Sequence, residues 1–300
     1  MSRIIDFVPE KDADANSAKR PPKRPPADSG WQFHDEAPAA PTPWLIKNLL
    51  PKTGAGLISG QWGSYKTTVA LDVAVSVMSG VSFANKFAVR RQGGVAYLAL
   101  EGAGGLASRL TAMARERGVD GALPFAYRAD CPPLTADGAL GQLITMVEDA
   151  AVHLKDKFAA EVVLVFIDTL VTAAGYSRTG DENDDAAQRV MATLAGLSQH
   201  ANALVLGLDH FGKVDTVGTR GSSAKEGAAD VVLALLAERA LNGTVSNTRL
   251  AVRKLRDGSA GLDGDRLGAS AGTTKQREGL VEVAAAAAPR AHDHAHRPRR

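Results

Sequence analysis

Two kinds of apolar run alternate between residues 44 and 257 of the chain. Short continuous ones, such as Glu161 to Asp168 and Ala203 to Leu208, have the length and branched content of strands buried on both faces. Longer runs with helical spacing lie between them. The pattern predicts strands over Gly56 to Ser59, Gly94 to Leu100, Phe125 to Arg128, Glu161 to Asp168, Ala203 to Leu208, Val231 to Leu236 and Thr248 to Leu255, the last as an edge. It predicts helices over Thr67 to Met78, Leu106 to Arg117, Leu140 to Lys155 and Asp185 to His200, with Trp44 to Leu50 leading in as a short helix. Alternation of this kind is the signature of an α/β fold, a mostly parallel central sheet flanked by crossover helices. No internal repeat interrupts it.

The pattern fades at both ends. Residues 1–43 mix Lys19, Arg20, Lys23 and Arg24 with many prolines and read as a disordered basic leader. Residues 286–300 read as a disordered basic tail, leaving 44–285 as the folded domain. His292, His294 and His296 in that tail invite a metal reading, but a ragged Ala/Pro/Arg stretch does not fix ligands.

Three hundred residues suit one large domain with tails. A net charge of +2 is too small for bulk attraction to nucleic acid, so any such contact must use a local patch. The single cysteine, Cys131, rules out an intramolecular disulfide and suits a reducing cytoplasm. No apolar run is long enough to span a bilayer, and Met1 to Glu10 does not read as a signal peptide.

Candidate chemistry begins at Gly56-Leu-Ile-Ser-Gly60-Gln-Trp-Gly63-Ser64-Tyr65-Lys66-Thr67-Thr68. A strand, a glycine-bearing loop and a helix start carrying Lys and Thr form a Walker A phosphate loop. Small residues let backbone N–H groups approach phosphate oxygens. Lys66 would reach the β- and γ-phosphates, and the Thr67 hydroxyl would ligate Mg²⁺. Gly60, Gly63, Ser64, Tyr65, Lys66, Thr67 and Thr68 make up the expected nucleotide-binding set. Tyr65 departs from the usual pattern, which has glycine before the lysine, so a plain Gly-rich turn with a surface lysine is the alternative.

Asp168 ends an apolar strand, where open parallel sheets place their ligands, and fits a second Mg²⁺ contact. Thr169 follows it, which excludes ATPases that put the catalytic glutamate at that position. Glu101, ending another strand and followed by three nearby glycines, is the candidate for orienting water. His210, in Asp209-His210-Phe211-Gly212-Lys213, follows the strand ending at Leu208 and could sense the γ-phosphate. Asp181, Glu182, Asp184 and Asp185 read as an acidic helix start rather than a second metal site.

Together these residues resemble the RecA-type ring ATPases, and within them the RepA-like replicative helicases of plasmids and phages. The resemblance covers residues 44 to 257. It rests on the Gly60–Thr67 loop, Glu101, Asp168, the Gly-Asp-Glu-Asn sequence ending at Asn183, the His210 segment, Thr219 to Ala224, and Lys254-Leu-Arg256-Asp-Gly258. It implies a RecA-like P-loop fold that binds ATP and Mg²⁺. Catalytic roles fall to Glu101, Lys66 and His210, with Lys254 and Arg256 entering a neighbour's site as a finger pair. Lys213 and Arg220 would grip single-stranded DNA in the channel of a hexameric ring, with a replication initiator or primase as a further partner. Recombination or repair without unwinding, a nucleotide switch with little turnover, and a small-molecule kinase are the rival readings.

Overall fold

In the computed structural model, the described residues are 43–175, 184–210, 223–239, 245–256 and 279–282. All of them lie in the unit Thr42–Arg300. The lead-in is a strand pair, β1 (Trp44–Ile46) and β2 (Leu50–Pro51), antiparallel around a tight turn. The expected short helix is therefore wrong. Asn48 sits at φ +60°, a left-handed conformation that reverses the chain and is incompatible with a continuing helix.

The chain continues through β3 (Gly54–Gly60), α1 (Lys66–Ser79), β4 (Gly94–Ala99), a 3₁₀ turn at Ala103–Gly105, α2 (Leu106–Glu116), β5 (Phe125–Arg128) and α3 (Ala139–Phe158). Then come β6 (Val162–Asp168), α4 (Leu170–Ala174), α5 (Asp184–Ala201), β7 (Leu204–His210), α6 (Ser223–Ala228), β8 (Val231–Arg239), β9 (Val245–Leu255) and β10 (Gly279–Glu282). The main sheet has the order β10-β9-β8-β3-β7-β6-β4-β5. From β8 to β5 every pairing is parallel, whereas β9 and β10 are antiparallel additions. This is an α/β, RecA-like core with a mostly parallel sheet.

Side-chain alternation divides the interior into two layers. Ile58, Tyr97, Phe166 and Leu206 pack with α1, while Leu57, Leu98, Ile167 and Val205 pack with α3, α4 and α5. Helix α1 is buried on nearly every side, and its run of Val, Ala and Leu suits that position.

Two strand readings change. β9 carries β10 on its outer side, so it is not the edge. β10 is only four residues long, and so short a run gives little alternation to recognise. β7 extends past Leu208 to His210 because its pairing with β3 runs on to Gly60↔His210. Backbone pairing persists there although the side chains have become polar.

The parallel strands place their C-terminal ends on one edge. Gly60 stands beside His210, Asp168 beside Leu208, and Ala99 beside Asp168. Asp181 and Glu182 lie outside the described residues, as do the tail histidines, and α5 starts at Asp184 with Asp184 and Asp185 in its first turn.

Candidate nucleotide site

The loop between β3 and α1 starts from a glycine that has no room to be anything else. A Cβ on Gly60 would lie 2.6 Å from Ser64 Oγ and 2.9 Å from the Leu235 carbonyl. Gly63 has φ +76° and Tyr65 φ +65°. Position 65 thus adopts the left-handed conformation for which glycine is suited, and tyrosine occupies it with its ring partly exposed.

The first turn of α1 contains no acidic residue, and no side chain caps it. The N–H groups of Lys66, Thr67 and Thr68 have no intrahelical acceptor, and the helix dipole adds positive potential. Ser64 Oγ is buried without a hydrogen-bond partner. A phosphate group would meet these donors together, so the loop fits the anion its sequence calls for.

Lys66 is buried and curls over the loop. Its Nζ donates to the carbonyls of Gly60 (3.1 Å) and Gln61 (2.8 Å) and lies 3.2 Å from His210 Nδ1. Desolvation lowers its pKa to about 8, against the opposing pull of Asp168, Asp209 and Glu101. The ammonium remains charged at neutral pH but is poorly solvated, which primes it for an anion.

Thr67 Oγ1 donates to Asp168 Oδ2 at 2.8 Å. The Tyr97 hydroxyl donates to the same oxygen at 2.7 Å. Burial raises the Asp168 pKa, and these two hydrogen bonds only partly offset it. A hydroxyl and a carboxylate side by side supply the oxygen donors that Mg²⁺ takes.

Glu101 lies just past β4, and its Oε1 accepts hydrogen bonds from Thr169 Oγ1 (2.8 Å) and Thr172 Oγ1 (2.7 Å). Partial burial raises its pKa. The hydrogen bonds from Thr172 and Thr169, with the nearby charges of His210 and Lys66, outweigh that and leave it below the ordinary glutamate value. The turn carrying Glu101 is held by Arg109, whose Nη2 donates to the Gly102 carbonyl at 2.8 Å and Nε to that of Gly105 at 3.2 Å.

Glu101, Lys66, Thr67, Asp168 and His210 therefore share one edge of the sheet. Lys254 and Arg256 do not join them. Leu255 pairs with Val231 at the start of β8, whereas Gly60 pairs with Leu235 further along it. The two basic residues thus lie toward the opposite end of the strands, roughly 13 Å away along β8 at one strand rise per residue. Lys254 Nζ donates to the carbonyls of Glu226 (2.9 Å) and Gly227 (2.6 Å), and Arg256 pairs with Asp230 at 2.9 Å. Arg256 also falls one residue beyond the strand, so strand alternation does not set its direction. Lys213 and Arg220 lie outside the described residues.

Sequence reasoning passed over Tyr97, Thr172 and Arg109. Tyr97 sits within an apolar strand where an aromatic reads as core, and its ring does pack on Phe166 and Phe125 at 5.3 and 5.7 Å. Only its register opposite Phe166, two residues before Asp168, brings the hydroxyl to that carboxylate. The threonines lie in and beside α4, a helix of five residues, too short to show a period.

A glycine-bearing turn of Walker A type leaving β3, with Asp168 ending β6 two strands away, marks the molecule as a P-loop protein with a RecA-like sheet. A family model described as "AAA domain" matches residues 18–216, and the chain belongs to that family. The matched span begins inside the segment read as a leader. Among solved structures, one described as an ATPase domain matches with 14% identity and a TM-score of 0.47, covering 70% of this chain and 80% of that one. No curated protein sequence matches the chain. The fold assignment rests on strand order and loop geometry. No helix among the described residues is long and apolar enough to cross a membrane.

Proposed function

We propose that this protein hydrolyses ATP as a RepA-like, hexameric ring motor acting on single-stranded DNA in plasmid- or phage-type replication, in the cytoplasm. The observation that carries the hydrolytic reading is the convergence of Lys66, Asp168, Glu101 and His210 on one sheet edge. The loop N–H groups and Lys66 hold the phosphates. Glu101, ionised through the neutral range, accepts a hydrogen from the attacking water and aims it at the γ-phosphorus. His210, within hydrogen-bond reach of Lys66, registers whether the γ-phosphate is present. Mg²⁺, held by Thr67 and Asp168, would neutralise charge on the phosphate oxygens.

The ring reading draws on the placement of Lys254 and Arg256. Both lie far from their own chain's loop, so any nucleotide they serve would be a neighbouring subunit's. Lys213 and Arg220 would supply the DNA phosphate contacts. An initiator or primase would act on the assembled ring.

One observation favours a second reading, a nucleotide-dependent switch with slow turnover: Arg256 is engaged with Asp230 of its own chain. ATPase assays with and without single-stranded DNA separate the two. For a motor, DNA stimulates turnover, Arg256→Ala abolishes the stimulation, and Asp230→Asn, which releases the arginine, preserves it. For a switch, ATP binds and DNA leaves the rate unchanged. Equal losses in Arg256→Ala and Asp230→Asn would mean that the pair only fastens the chain.

A further inference from the structure

A threonine at the N-terminal boundary of a helix ordinarily uses its hydroxyl to accept a backbone N–H of the first turn. Thr169 holds that position on α4 without making the bond. Its Oγ1 donates instead to Glu101 Oε1 at 2.8 Å, and Thr172 Oγ1, three residues on, donates to the same oxygen at 2.7 Å. The two hydroxyl oxygens are 3.2 Å apart. Each carries a single hydrogen, so with both committed to Oε1 neither donates to the other. The second carboxylate oxygen, Oε2, accepts no hydrogen bond from any described residue.

Stability accounts poorly for the hydroxyl at position 172. The residue is exposed, where water would serve either partner nearly as well. Helix α4 is too short to hold a side chain in place by itself, yet its last turn is fastened from outside. The Leu134 N–H donates to the Ala173 carbonyl at 2.8 Å, and Thr135 Oγ1 to that of Ala174 at 2.7 Å. A Cβ on Gly175 would lie 2.6 Å from Pro133 Cβ, so the chain leaves the helix pressed against the same segment. Thr172 therefore stands on a fixed platform. A carboxylate held by one donor can pivot about that bond, whereas two donors converging on one oxygen fix which way the group turns.

We propose that Thr172 is a positioning residue for ATP hydrolysis: with Thr169 it reserves Oε1 of Glu101, so that Oε2 is the oxygen that meets the attacking water. This rests on the reading of Glu101 as the water-orienting group. In that step the water oxygen bonds to the γ-phosphorus, its proton passes to Oε2, and the bond to the bridging oxygen breaks, its electron pair leaving with ADP. Thr172 acts through Glu101. The loop N–H groups and Lys66 are untouched by its loss, so the consequence falls on turnover rather than on nucleotide affinity.

The test uses the full chain, with ATP turnover scored per site titrated by a fluorescent ADP analogue, so that misfolded protein does not count. Thr172→Val, which keeps the shape and removes the donor, lowers kcat about fivefold or more while the ATP Kd stays within about twofold. Thr172→Ser, which returns the hydroxyl, restores kcat to within about twofold of wild type. In the Glu101→Gln background Thr172→Val slows turnover no further, because the group it positions has lost its function. If Thr172→Val does not fold, Thr172→Ala carries the same expectations. A smaller fall or a rise in kcat on loss of the hydroxyl, a serine variant as slow as the valine one, or an equal loss in the Glu101→Gln background overturns the inference and leaves the ATPase reading intact. Wild-type turnover in Glu101→Gln, or none in the wild-type protein, overturns both.

Discussion

Asp168 Oδ2 receives two hydroxyls, one from the phosphate loop and one from the neighbouring strand. That shared acceptor makes Tyr97 more than core. Tyr97→Phe keeps the ring packing and removes one donor from a buried carboxylate, costing about 1 kcal/mol of stability. We expect the Mg²⁺ concentration for half-maximal turnover to rise several-fold, read from metal titrations of the ATPase; an unchanged titration would make the hydroxyl incidental. Lys66 gives a pH signature of opposite signs. Its ammonium is disfavoured in the folded protein, with a pKa of about 8 against an ordinary value of 10.5. Folding therefore releases a proton between those values, and this group's contribution to nucleotide-free stability increases as pH rises through the window. Phosphate affinity falls over the same range as the charge is lost. Melting temperature and nucleotide Kd followed from neutral pH up to 10.5, against Lys66→Met as reference, should show both trends for the wild type alone.

At the scale of elements, the loop and α1 were the most legible part of the chain, since Gly60, Lys66 and Thr67 hold a spacing that phosphate geometry demands. Tyr65 obscured the motif because a side chain at φ +65° is uncommon. Tyr65→Gly should retain nucleotide binding and gain up to about 1 kcal/mol in chemical denaturation; loss of binding would give the ring a direct role. Buried strands β6 and β7 were readable from their apolar runs. Their polar ends were less so: His210 is a strand residue only because Gly60 pairs with it, a tertiary fact. The β1–β2 hairpin was misread because its Leu and Ile residues, buried against the α1 layer, have no period over so few positions. Helix α4 depends on Gly207, where a Cβ would overlap the Leu170 side chain. Gly207→Ala should cost about 1–3 kcal/mol by overpacking. Because α4 carries Thr172, turnover should fall along with stability, which denaturation and per-site kcat measure together.

For the whole molecule, the parallel core fixes where chemistry can occur. Every C-terminal strand end from β3 to β4 contributes to one edge, and the basic pair near the start of β8 lies at the other. Strand order was not legible from the sequence, since β3 lies between β7 and β8, elements about 150 or more residues away. That order brings Glu101, just past β4, and Asp168, at the end of β6, to the same edge of the sheet as Lys66. The account stands on this juxtaposition being hydrolytic. The direct measurement is phosphate release from Mg-ATP by the wild-type protein and by Glu101→Gln, with ATP binding determined in parallel. The variant should bind ATP within about threefold of wild type and turn it over roughly 10²–10³-fold more slowly. Turnover at the wild-type rate in Glu101→Gln would contradict the assignment.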